Sequence, residues 1–162
     1  MKERIDLNNK RILVTGSAGF IGSNLVLRLF HEMKEGVIVG FDNLNDYYDP
    51  SLKDYRLEVI EKAKPAGIDY TFVKGDLADK ATIDKLFAEY KFDVVVNLAA
   101  QAGVRYPIEN PDAYIMSNMI GFYNILEACR HNPVAHLVYA SSSSVYGGNK
   151  KGPFSTADRV DN

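Results

Sequence analysis

The chain has 162 residues, 46% hydrophobic and 25% charged, with a formal net charge of −2. That suits one globular domain with a sizeable core, and it offers no basic field for nucleic acid or an anionic membrane surface. No apolar run approaches a membrane span and the opening "MKERIDLNNK" is too polar for a secretory signal; the single cysteine, Cys129, allows no disulfide framework or metal cluster, so no metal is expected and the cytoplasm is the expected location.

Apolar runs of strand length alternate with stretches of helical period. The first strand, "RILVTG" (11–16), runs into Gly16, Gly19 and Gly22 and a predicted helix over Phe20–Glu32. Glycines spaced this way at a strand-to-helix handover fit a dinucleotide-binding turn. Gly16 would allow the tight turn, and Gly19 would let main-chain amides approach a pyrophosphate. Gly22 would let the helix pack closely on the strand, while the unpaired amides at the helix start meet the phosphates. The alternative is a turn whose glycines only ease packing.

The second strand, "GVIVGFD" (36–42), sets Asp42 at its carboxyl end, about 20 residues past the last glycine. A carboxylate there can accept both adenosine ribose hydroxyls and repel a 2′-phosphate. With no Arg beside it, NAD is favoured over NADP. Otherwise Asp42 is a helix cap or turn residue. "NDYYDPSLKDYRLE" could shape a cofactor rim, with Lys53 and Arg56 on the solvated face of a helix over 51–64. The third strand, "DYTFVKGD" (69–76), brings up Asp76. This residue or Asp79 could cap the helix predicted over 80–90, or Asp76 and Leu77 could edge an adenine.

The fourth strand, "DVVVNLA" (93–99), leads into Ala99, Ala100 and Gly103, small enough for a cofactor backbone to cross. A long helix over Pro111–Arg130 carries Met119, Phe122, Tyr123, Leu126 and Cys129 on overlapping faces predicted to pack against the sheet, with Cys129 as a small core residue. The fifth strand is "AHLVYASSS" (135–143), and residues 149–162 read as loop. His31, His131 and His136 are widely separated and read as surface or packing residues. Near-continuous apolar strands suit burial on both faces. The chain therefore reads as one α/β domain over 1–162, a doubly wound parallel sheet of the Rossmann type.

With these residues in view, the chain resembles the NAD-dependent epimerase/dehydratase family, extended short-chain dehydrogenase/reductases acting on nucleotide sugars. The likeness rests on "TGSAGFIG", "FDN", "GDL", "NLAAQAGVR", "NPDAYIMSN" and "YASSSSVYG". Within the family, "FDNLNDYYDPSLK" with "AAQAGVRYPIENP" is most similar to the UDP-glucuronate 4-epimerase group. The resemblance implies NAD as cofactor, a nucleotide-sugar substrate, and hydride removed from and returned to sugar carbon 4. It implies Phe20 and Ile21 over the pyrophosphate, Asp42, Asn43 and Asn45 about the adenosine ribose, and Asp76 and Leu77 at adenine. Leu98, Ala99, Ala100 and Gln101 would line the cofactor's middle, with Ser117 by the nicotinamide half. Ser142 falls on the family's catalytic Ser/Thr, which can relay the sugar alcohol's proton, and Ser143 and Ser144 would face the sugar. Without the resemblance the serine run reads as a polar strand end. Arg105 could meet a substrate carboxylate or phosphate, or make a surface salt bridge. A homodimer through the 111–130 helix is also implied.

The family's general base is the tyrosine of a Tyr-x-x-x-Lys motif, whose lysine lowers the phenol's pKa. It is read as missing from this chain, Tyr146 being expected to pack or line the pocket. The motif, the closing strands and the substrate-clasping region are expected beyond Asp161-Asn162. The chain alone is therefore expected to bind NAD weakly and not to turn over, and to expose apolar sheet edge. The rival readings are a 4,6-dehydratase, which would place acidic residues where Ser143 and Ser144 stand, an NADP-dependent reductase, and a non-catalytic dinucleotide-binding module. A Tyr-x-x-x-Lys motif in the codons that follow would favour the enzyme over the module.

Overall fold

The computed structural model describes residues 6–103, 106–149 and 152–160. Strands β1 (Arg11–Thr15), β2 (Gly36–Asp42), β3 (Ile68–Lys74), β4 (Val94–Asn97) and β5 (His136–Tyr139) form one sheet in the order β3-β2-β1-β4-β5. Every pairing is parallel, for example Leu13 against Val39 on one side and Val95 on the other. Parallel neighbours need crossovers, and these are α1 (Phe20–Glu32), α2 (Ser51–Ala63), α3 (Lys80–Tyr90) and a helical stretch before β5.

Alternation along each strand sorts side chains to two faces. Ile12, Val14 and Ile38 share a core with Val26, Leu29 and Phe30 of α1 and Ile60 of α2. Leu13, Val39 and Val95 share the other with Ile83, Leu86 and Phe87 of α3 and with Ile125. Helices thus cover both faces, the doubly wound α/β class that the sequence predicts. No described helix is long and apolar enough to cross a membrane.

Three features depart from the sequence expectations. First, the long helix over 111–130 is not uniform. A short α4 (Tyr106–Glu109) and α5 (Pro111–Tyr114) lead into a π-helical segment (Ile115–Gly121), and only then comes α6 (Phe122–His131). The wider π turn shifts the helical phase. Gly121, Asn124, Ile125 and Ala128 are buried, while Met119, Tyr123 and Leu126 are exposed. Phe122 and Cys129 are half-buried, and Cys129 packs against the core, where burial pushes its thiol up to about 11.

Second, β5 is not buried on both faces. His136, Val138 and Tyr139 are exposed, and β5 forms one edge of the sheet with β4 on one side. Third, Lys53 and Arg56 do not sit on a solvated face: Lys53 is buried and Arg56 half-buried. Residues 152–160 carry bends and turns, with Phe154 stacked on Tyr146 at a centroid distance of 4.6 Å.

Candidate functional site

At the carboxyl edge of the sheet a cleft of about 560 Å³ opens where β1 and β4 part, the crevice in which sheets of this order take ligands. Its floor is the turn between β1 and α1. Gly16 has φ +69°, and a Cβ there would stand 2.9 Å from the amide nitrogen of Ala99. Gly22 packs on the same turn: its Cβ would fall 2.7 Å from the Gly16 carbonyl carbon and 2.9 Å from Ser17 Cα. So Gly22 lets the helix close on its own entry turn, more tightly than the strand packing expected of it. At Gly19 a Cβ would meet only the Gly16 carbonyl, its oxygen at 3.0 Å, and would otherwise stand in open space. Helix α1 begins there with no side-chain cap and no acidic residue in its first turn. By contrast α3 is capped by Asp79, which accepts from the Thr82 amide. A bare helix start lined by glycine fits the charge and shape of a pyrophosphate.

Across the cleft, Asp42 ends β2 with only 6% of its surface exposed. One carboxylate oxygen accepts from the Ala18 amide at 3.2 Å, and the other from the Leu44 amide at 2.9 Å. Asp42 is therefore neither a helix cap nor an isolated turn residue; it ties β2 to the glycine turn. Lys53, only 4% exposed, places its ammonium 3.4 Å from Asp42 and 2.8 Å from the Asn45 side-chain oxygen Oδ1. Arg56 donates to the Tyr48 hydroxyl and to the Ala18 carbonyl. Both cations lie by the Tyr48 ring, at 5.3 Å and 5.6 Å.

Asp76 accepts from the Asn43 side chain at 3.2 Å and from the Ala78 amide, leaving the helix cap to Asp79. Leu77 beside it is held from below by buried Asn124, whose amide donates to the Leu77 carbonyl at 2.8 Å. On the opposite wall, Thr15 donates to Asn97 at 2.7 Å and accepts from the amides of Leu98 and Ala99. Asn118 in the π segment clasps the main chain of Gln101, accepting from its amide and donating to its carbonyl. This sets Ser117, one residue earlier, at the cleft wall.

Of the residues assigned to a cofactor, all but Gly103 line the cleft: Gly16, Gly19, Phe20, Ile21 and Gly22 on the floor, Asp42, Asn43, Asn45, Asp76 and Leu77 at one end, and Leu98, Ala99, Ala100, Gln101 and Ser117 at the other. Tyr48, in the stretch read as a possible cofactor rim, lines the cleft too, and the sequence reading missed Lys53 and Arg56, which it gave to a solvated face. It also missed the supports Thr15, Asn118 and Asn124. A lysine and an arginine three apart, facing an acidic strand end, is the signal that could have flagged the first group.

Ser142, Ser143 and Ser144 lie past β5, exposed, and none lines this cleft. Ser142 caps a 3-10 turn (Ser143–Tyr146), its hydroxyl accepting from the Ser144 amide at 3.1 Å and donating to the Ser144 hydroxyl. Arg105 lies outside the described residues.

Searched by spacing alone, Tyr-x-x-x-Lys does occur in the chain, as Tyr70 with Lys74 and Tyr146 with Lys150. Tyr70 and Lys74 lie on a strand, where four residues span about 13 Å, so the ammonium cannot tune the phenol. Burial instead pushes that phenol up to about 12, away from a base's range. Tyr146 is followed by Gly147 at φ +53°, which ends the turn, and Lys150 lies outside the described residues.

A parallel sheet in the order 3-2-1-4-5, with a glycine turn opening onto its crevice and an acid ending the second strand, defines a dinucleotide-binding protein of the Rossmann class. The model of the NAD dependent epimerase/dehydratase family matches residues 12–161. The chain belongs to that family, whose cofactor is NAD.

Protein CapI of Staphylococcus aureus is 52% identical over 152 residues, covering 93% of this chain. UDP-glucuronate 4-epimerase 3 of Arabidopsis thaliana is 49% identical over 151 residues, again 93% of this chain. The chain spans 43% of the first relative's length and 34% of the second's. Among solved structures, a UDP-glucose-4-epimerase from Stenotrophomonas maltophila, with bound NAD and formylated UDP-arabinopyranose, superposes with a TM-score of 0.75 at 29% identity. That match covers 93% of this chain and 42% of the other.

Proposed function

We propose that this chain is the cofactor-binding part of a nucleotide-sugar 4-epimerase acting between UDP-glucuronate and UDP-galacturonate, with NAD in the cleft. The observation that carries the reading is the bare, glycine-lined start of α1 set across from buried Asp42. The first accepts a pyrophosphate and the second the adenosine ribose. The relatives named UDP-glucuronate 4-epimerase support the substrate.

Bound NAD supplies reversible oxidation of a sugar alcohol. The α1 amides and Asp42 would hold it, Leu98 to Gln101 and Ser117 would shape the half nearer β4, and Ser142, which lies outside this cleft and caps its own turn, would share the proton of the reacting hydroxyl. Among the described residues no Tyr-x-x-x-Lys pair has its lysine placed to tune the tyrosine, so the purified chain is expected to bind NAD without turning over. Joined to the carboxyl-terminal part of the A. thaliana UDP-glucuronate 4-epimerase 3, it should interconvert the two UDP-sugars. Ser142→Ala in that joined protein should then lower kcat about a hundredfold or more. Turnover by the chain alone, or full activity of S142A, would contradict this.

We also propose that two copies pair through the 111–130 stretch, where Met119, Tyr123 and Leu126 present apolar surface to solvent. Leu126→Glu should convert a dimer to a monomer in light scattering while leaving the melting temperature unchanged within about 2 °C. A dimer that survives the substitution would count against this pairing.

A further inference from the structure

The acid that the sequence sets against a 2′-phosphate is not alone. Lys53 stands 3.4 Å from one Asp42 oxygen and is buried with it. Its shorter bond, at 2.8 Å, is to Asn45, which is itself held by its own amide donating to the Asn43 side chain. Lys53 is thus anchored by a neutral partner as well as by Asp42. Arg56, the other cation at this end, is committed to the Ala18 carbonyl and the Tyr48 hydroxyl. Both lysine and arginine line the cleft. Near Asp42 the formal charge of these three groups is therefore positive, not negative.

We propose that Lys53 is a masked phosphate-binding cation, and that the Asp42 carboxylate alone keeps the cleft selective for NAD over NADP. This rests on NAD occupying the cleft with its adenosine ribose at Asp42. While Asp42 is ionised it neutralises Lys53 and presents its own charge to the ribose 2′ position. Without that charge, Lys53 remains on Asn45 within reach of the same position, free to pair with a 2′-phosphate, and charge-assisted bonds of this kind are the stronger ones. The carboxylate's role in selectivity is then twofold, repelling the phosphate and occupying its receptor.

Asp42→Asn keeps an acceptor for the main-chain amides and removes the charge. Calorimetric titration of the purified protein with NAD and with NADP, each nucleotide separately, should show the preference for NAD shifting toward NADP by about a hundredfold. Most of the shift should come from tighter NADP binding. Adding Lys53→Met to that variant should abolish the gain for NADP, while Arg56→Met should not. Lys53→Met alone, which needs no change at Asp42, should move the preference the other way by about tenfold. Equal NADP gains in D42N and D42N/K53M, or an unchanged preference in K53M, would overturn the assignment to Lys53 while leaving NAD in the cleft. A wild-type protein that binds no NAD would overturn the cofactor reading itself, and this inference with it.

Discussion

Gly22→Ala should damage folding and NAD binding together, whereas Gly19→Ala should damage binding alone. At Gly22 the added methyl meets main chain, the Gly16 carbonyl and Ser17 Cα, and main chain cannot swing aside as a long side chain can. Either α1 or the entry turn must move. Overpacking of this kind costs about 3 kcal/mol, a fall of about 10 °C in Tm for a domain of this size, and the displaced turn no longer presents its amides. At Gly19 the methyl meets the Gly16 carbonyl oxygen at 3.0 Å and nothing else but that group. The fold should lose about 1 kcal/mol or less, but the methyl stands where a phosphate must approach the helix start. Weakening two charge-assisted bonds lowers affinity about a hundredfold. Thermal melts and NAD titration of the two variants separate the effects. Wild-type NAD affinity in G19A, or a wild-type melt in G22A, would show that the turn does not work this way.

Asp42→Ala should be among the most destabilising single changes outside the hydrophobic core. It strands the Lys53 ammonium, 4% exposed, without its counter-charge, and it removes the acceptor for the Ala18 and Leu44 amides. Breaking one side of a buried ion pair costs about 3 to 5 kcal/mol. Replacing both partners is milder, because no uncompensated charge remains. The double variant D42A/K53M should therefore regain about 2 kcal/mol over D42A in urea unfolding, the remainder being the lost acceptor. If the two losses simply add, Lys53 and Asp42 are not coupled.

The same pair shows where the sequence stops being legible. Strand positions, the glycine turn and Asp42 could be read because each depends on neighbours a few residues away: apolar runs, a Gly spacing, a strand end. Lys53 could not, since a periodic reading of α2 sees a lysine among polar residues and assigns it to water. What buries it is a carboxylate brought from the end of β2 by the intervening loop. The 111–130 stretch fails for a different reason. Both Met119-Phe122-Tyr123-Leu126 and Gly121-Asn124-Ile125-Ala128 fit a helical stripe, and the first looks more apolar. The π segment sets the phase in favour of the second. Asn124 then earns its buried place by holding the Leu77 and Ala78 carbonyls, partners 46 and 47 residues away. Ser142 marks a third limit. The sequence reads it within the fifth strand, but it lies past β5, and its hydroxyl engages its own turn rather than the cleft.

A crystal structure of the protein with NAD is the most direct test of the whole account. The pyrophosphate should rest on the main-chain amides at Gly19 to Gly22, with the adenosine ribose hydroxyls bonded to Asp42 and adenine beside Asp76 and Leu77. A dinucleotide seated away from the start of α1, or with its ribose turned from Asp42, would contradict it.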